Sequence, residues 1–169
     1  MVAQGVRDAV RHNFQYRCGY CGVQEDETGS LLEIDHYQPR STGGGDELDN
    51  LVYCCSNCNR RKGDFWPTDG MSARLRILHP QKDDLSQHLQ LQLDGSVVGL
   101  AETGRFHIER LQLNRPPLLA LRRVRQDVQL IRQGLLEAQE ERTRLEQRIQ
   151  TLSKSLEEVL DELSRLSGA

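Results

Sequence analysis

The chain has 169 residues, of which 37% are hydrophobic and 28% charged, with a formal net charge of −3. That length supports one modest core and an appendage, and no apolar run reaches the roughly 20 residues that span a bilayer. The opening Met1–Asp8 has no basic-then-apolar leader, so the expected compartment is the cytoplasm. Net acidity argues against a broadly polyanion-binding surface and leaves that task to local clusters, the clearest being Arg60-Arg61-Lys62.

In chain order, Val6, Ala9, Val10 and Phe14 fall at helical spacing and predict a short leading helix. Cys18-Gly19-Tyr20-Cys21 follows as a knuckle whose glycines, Gly19 and Gly22, suit a tight turn. Leu31–His36 reads as a strand arriving at a charged end, and Ser41-Thr42-Gly43-Gly44-Gly45 as a flexible loop. Asp49–Tyr53 begins another ordered element. A second knuckle, Cys55-Ser56-Asn57-Cys58, then runs into Asn59-Arg60-Arg61-Lys62, where a helix is expected to open.

Two C-x-x-C knuckles can present four thiolates to one ion, which completes a tetrahedral zinc shell. The competing readings are a redox pair or a disulfide; a reducing compartment disfavours a disulfide framework, and two pairs suit one cage better than two redox motifs. A closed shell of Cys18, Cys21, Cys55 and Cys58 leaves no open position, so such a zinc would be structural. Cys54 is left over and reads as a small buried residue.

Beyond residue 70 the pattern changes. Leu89, Leu91 and Leu93 alternate with glutamines, Asp94-Gly95 supplies a turn, and Val97-Val98 follow, which is a hairpin signal. Phe106–Leu111 fits a short helix or a strand. Pro116-Pro117 suits a helix start, and from Leu121 a heptad runs unbroken through Val124, Val128, Ile131, Leu135, Ala138, Arg142, Leu145, Ile149, Leu152, Leu156, Val159, Leu163 and Leu166. All but Arg142 are apolar, so this is a coiled-coil seam, about 75 Å long at ~1.5 Å per residue. A lone helix with such a stripe must bury it. Self-association into a homodimer or higher oligomer, packing on another protein, or folding back at Gly134 would each do so.

Glu33-Ile34-Asp35-His36, Asp49-Asn50-Leu51 and Cys55-x-x-Cys58-Asn59-x-x-Lys62, set between and beside the knuckles, resemble the HNH endonuclease family. The resemblance covers roughly Cys18 to Asp64. Asn59 stands where many members have His, and both occur in the family. It implies a ββα-metal unit at residues 1–70; with the hairpin signal marking a small extension at 71–115 and the heptad a coiled-coil helix at 116–169, the expected fold is α+β. Residues 94–115 are similar to the extension that follows the nuclease module in some stand-alone bacterial members.

By the same resemblance His36 is the general base, a task suited to neutral imidazole. Asp35 and Asn59 are the ligands of a catalytic divalent cation, for which oxygen donors favour Mg2+ or Mn2+. Asn50 is the residue that holds the His36 loop. The implied reaction is hydrolysis of DNA phosphodiester bonds to 5′-phosphate and 3′-hydroxyl ends, in defence or phage-related DNA processing. Arg60, Arg61 and Lys62, with Arg40 as a further candidate, are the expected phosphate contacts. A partner such as an ATPase of a defence complex is a further implication. The alternative is a zinc-dependent module that binds nucleic acid without cutting and recruits a partner through the coil.

Overall fold

A computed structural model describes residues 2–167. The chain divides into two compact units, Met1–Arg123 and Val124–Ala169. In order, the elements are α1 (Gln4–Asn13), α2 (Glu25–Thr28), β1 (Glu33–His36), β2 (Leu51–Cys54), α3 (Ser56–Lys62), β3 (Leu89–Leu91), β4 (Val97–Gly99), α4 (Glu102–Leu111) and α5 (Pro116–Ser167), with short 3-10 turns at Arg40–Thr42, Leu48–Asn50 and Leu85–Gln87. The fold is α+β, as the sequence pattern predicts. No helix among the described residues is long and apolar enough to cross a membrane.

In the first unit β1 and β2 pair antiparallel, with Glu33 opposite Cys54, Asp35 opposite Val52 and His36 opposite Leu51. Strand alternation puts Glu33 and Asp35 on one face and Ile34 and His36 on the other. The whole of β2 is buried, so this short strand serves as the spine of the core. Val10 of α1 packs in the same core at 1% exposure. The Tyr53 hydroxyl links the layers: it accepts from the Leu32 N–H at 2.9 Å and donates to Glu25, whose carboxylate also forms a two-point fork with Arg11.

The helix expected to open after Cys58 opens earlier, at Ser56 inside the second knuckle, and stops at Lys62. The physical reason is capping: Cys55 is the N-cap, its sulfur accepting from the Cys58 N–H, and Gly63 (φ 53°) ends the helix. The basic triplet therefore forms the last turn of α3, where it complements the helix dipole, and not the helix start.

The stretch between α3 and α4 closes over the nuclease-like motif. Ile77 and Leu78 are buried, and the β3–β4 hairpin turns at Asp94-Gly95 with Gly95 at φ 80°. The segment that fitted either helix or strand is helix α4. Gly104 lets the hairpin approach: a Cβ there would meet the His88 carbonyl oxygen at 2.1 Å. Arg110 ties α4 to α3 through a 2.9 Å bond to the Lys62 carbonyl. The second unit is the continuation of α5, helical through Gly134, and its seam residues Val128, Ile131, Leu135, Ile149, Leu156 and Leu163 are exposed.

His107 sits at 1% exposure in the first unit, its Nδ1 accepting from the Leu78 N–H at 3.0 Å. Burial, reinforced by Arg76 and His88, pushes its pKa down to about 4 from 6.5. The unfolded chain therefore takes this proton first, and the stability from neutral His107 is present near neutrality and lost as pH falls from about 6.5 towards 4. Between about pH 7.5 and 5 this one group lowers the unfolding free energy by about 2 kcal/mol. Urea titrations of the zinc-saturated protein will show that loss. His107→Asn, which keeps an acceptor for Leu78 but no titration, will show a clearly shallower one; equal slopes in both proteins would contradict the assignment.

Candidate active site

The four knuckle cysteines converge. The sulfurs of Cys18, Cys21, Cys55 and Cys58 all lie within 4.8 Å of one another, and Cys21 and Cys55 are 3.7 Å apart. Four ligands at Zn–S bonds of about 2.3 Å would sit about 3.8 Å from each other, so the donor set and its spacing fit one zinc. Backbone bonds preset the cage: Cys18 N–H to Val23 O and Gly22 N–H to Cys18 O, both 2.8 Å, close the first knuckle, and Gly19 N–H to Tyr53 O, also 2.8 Å, ties it to β2. Burial pushes the Cys18 thiol up, while hydrogen bonds from its three neighbours hold Cys55 low. Cys54 lies outside the cluster, fully buried, with its thiol pushed up by burial.

Beside the cage, α3 lies along the Glu33/Asp35 face of β1. Residues three apart on a helix share a face, and residues two apart on a strand do the same. Asn59 and Lys62 accordingly meet Glu33 and Asp35: the Asn59 amide donates to Glu33 Oε2 at 2.6 Å, and Lys62 Nζ to Asp35 Oδ1 at 3.0 Å. The second Asp35 oxygen accepts from the Tyr20 hydroxyl at 2.7 Å. Burial pushes the Asp35 carboxyl up, with Lys62 opposing it. Asp35 and Asn59 thus stand on one face, each with a different immediate partner.

His36 points to the opposite side, where Asp46 Oδ1 is 2.6 Å from Nε2 and Arg40 Nε is 3.2 Å from it. Arg40 also grips both Asp46 oxygens, at 2.5 and 2.6 Å. Hydrogen bonds from His36 and Arg40 hold the Asp46 carboxyl below its ordinary value. Asn50 stitches the intervening loop: Oδ1 accepts from Gln38 N–H at 2.8 Å, and Nδ2 donates to Gln38 O at 3.2 Å and Gly45 O at 2.9 Å. The loop is too tight for a side chain at Gly44, whose Cβ would lie 1.8 Å from Gln38 O.

The basic triplet is split three ways. Arg60 lines a cavity of about 300 Å3 with Glu33, Ser56 and Asn59. Arg61 lines a separate groove of about 890 Å3 with Arg115, Gln112 and the start of α5. Lys62 is buried at 1% exposure, its ammonium shared among Asp35, the His36 carbonyl at 2.7 Å and the Gly63 carbonyl. It supports the end of β1 from within, so a phosphate contact there is physically blocked.

Several neighbours escape a reading of the motif alone. Asp46 lies ten residues from His36, with no signal beyond an acidic run. Glu33 is legible in retrospect, because Glu33/Asp35 and Asn59/Lys62 have matching spacings. His79 has its Nε2 2.9 Å from Asp49 O, and Lys82 pairs with the Asp49 carboxylate at 2.8 Å. Together they brace the turn that carries Asn50.

A hairpin and helix flanking a strand-end Asp-His pair beside a four-cysteine cluster make a ββα arrangement. Residues 18–65 match the family model of the HNH endonucleases. More widely, the chain is 26% identical over 140 residues to Septu protein PtuA of Bacillus mycoides (strain KBAB4), covering 67% of this chain and 20% of that protein. It is also 27% identical over 100 residues to Septu protein PtuB of Bacillus thuringiensis, covering 58% of this chain and 37% of that protein. The chain therefore spans well under half the length of either relative.

The buried ion pair gives a direct test. Lys62→Met leaves the Asp35 carboxylate buried without its cation and will lower the unfolding free energy by about 3–5 kcal/mol. Adding Asp35→Asn to that variant will restore most of the loss. Urea denaturation of the single and double variants reads this; a double variant no more stable than Lys62→Met would contradict the pairing.

Proposed function

We propose that the chain is a metal-dependent HNH endonuclease of bacterial defence, cutting DNA to 5′-phosphate and 3′-hydroxyl ends and assembled through α5. The observation that carries this reading is the arrangement at the end of β1, where Asp35 faces Asn59-bearing α3 beside the cysteine cage while His36 faces the exposed Arg40–Asp46 loop. The Septu relatives, together with the match at residues 18–65, support the defence setting.

In the proposed mechanism Asp46 is the acceptor for His36 Nε2–H, the shorter of that nitrogen's two contacts. This assigns Nδ1 as the basic nitrogen that takes the proton of the attacking water. Asp35 and Asn59 would hold a divalent cation, Mg2+ or Mn2+, with Glu33 at its edge; these are hard oxygen donors, and an ionised carboxylate keeps acceptor sites beyond the two that Tyr20 and Lys62 use. When bound, that ion supplies positive charge to the phosphate and the leaving 3′ oxygen. Asn50 fixes the loop and thereby the His36 ring. Arg60 beside Asn59 and Arg40 beside His36 are the proposed phosphate contacts, with Arg61 reaching strand further along its groove.

The exposed seam of α5 supports self-association into a homodimer or higher oligomer, which would place two cutting sites on one assembly. A partner protein such as an ATPase of a defence complex is the other occupant we propose for it. The contact of Lys62 with Asp35 favours a second reading, in which the module binds nucleic acid without cutting.

One assay separates the two. Supercoiled plasmid incubated with the protein and Mg2+ or Mn2+ will be nicked or linearised, and His36→Ala will lower the rate by about 10²–10⁴-fold. No cutting with either ion would leave the binding reading in place of the enzyme, and equal cutting by the variant would remove His36 as the general base.

A further inference from the structure

The cysteine cage has a neighbour from outside the matched segment. Arg115, just before α5, lies with Nη2 at 3.8 Å from Cys58 Sγ and 3.9 Å from both Cys21 Sγ and Cys55 Sγ. Its Nη1 donates to the carbonyls of Leu111 at 3.3 Å and Gln112 at 3.2 Å. The same guanidinium thus touches three cage sulfurs and the C-terminus of α4. Gln112 is the left-handed cap of that helix, at φ 49°, a conformation that side chains other than glycine adopt at a cost. Leu113 and Leu118 are buried on either side of Arg115.

We propose that Arg115 is the outer charge partner of the zinc cage, and that through it zinc loading locks the turn between α4 and α5. The physical basis is charge. A zinc ion with four thiolates carries two negative charges in excess, which the largely buried site must offset. A guanidinium is a permanent cation with donors spread in a fixed fork, so it can address sulfurs on one edge and carbonyls on another. Loss of zinc turns thiolates into thiols and removes the charged acceptors of Nη2. The turn from Leu111 to Pro116 then keeps only the carbonyl half of the clamp.

The proposal rests on the zinc reading of the cage, and its test distinguishes the two. Metal content is measured first: a purified protein without zinc removes the zinc reading itself. Zinc transfer to an excess of the indicator 4-(2-pyridylazo)resorcinol is then followed for the wild type, Arg115→Gln, Arg115→Lys and Leu113→Ala. The last loosens the same turn without changing charge. Arg115→Gln will release zinc on the order of 10-fold faster than wild type, the usual size of an outer-partner effect; Arg115→Lys will lie between. Hydrogen exchange across residues 111–118 of the wild-type chain will rise when zinc is stripped and stay high in Arg115→Gln with zinc bound. Release from Arg115→Gln no faster than from Leu113→Ala, or exchange over 111–118 indifferent to zinc, would overturn the assignment.

Discussion

Four sulfur atoms from segments far apart in the chain converge on one point. Cys18 and Cys21 come from a turn after α1, Cys55 and Cys58 from the start of α3, and between them lies the hairpin whose end carries Asp35 and His36. A two-stranded hairpin of four residues per strand is not stable alone in water. Here it is clamped at both ends of its sequence by one cage and backed by α1 and α3. Because the cage also caps α3 through Cys55, the same interaction sets where that helix begins and hence which residues its face presents to β1.

From that register the rest of the site follows. A helix step of three and a strand step of two place Asn59 against Glu33 and Lys62 against Asp35, while strand alternation sends His36 to the other side. The two faces have different electrostatics. On the inner face a carboxylate is buried with a lysine, a pairing in which loss of either partner is costly. On the outer face a half-buried His36 meets the exposed Arg40–Asp46 pair, whose contact solvent weakens. Under the proposed function, a buried, rigid face of oxygen donors next to a partly open imidazole would suit hydrolysis of a bulky polymer. The extension reinforces both: His79 and Lys82 brace the Asp49-Asn50 turn, and Arg110 and Arg115 fasten α4 to α3 and to the cage.

Much of this architecture is legible in local sequence because it rests on short-range rules. The knuckle spacing, the Asp94-Gly95 turn and the α5 heptad each declare themselves within a few residues. The fate of Arg60-Arg61-Lys62 does not. A run of three cations reads as one solvated patch, but a helix turns about 100° per residue, so once α3 starts at Ser56 the three point to a cavity, a groove and the core. Asp46, His79 and Arg115 are invisible for a related reason. Each meets the site through tertiary packing across a long loop or from a different element, and such contacts leave no periodicity to read.

Under the proposed function two metals divide the labour: zinc in the cysteine cage would hold the fold, and a hard divalent cation on the oxygen face would serve the cut. Chelator-stripped protein titrated with one equivalent of zinc, then with Mg2+ or Mn2+, tests it most directly when thermal stability and plasmid cleavage are read at each step. The first equivalent of zinc will restore cooperative unfolding without cleavage, and cleavage will begin only with the second ion. Cleavage supported by one equivalent of zinc alone, or a stripped protein that unfolds as cooperatively as the loaded one, would contradict it.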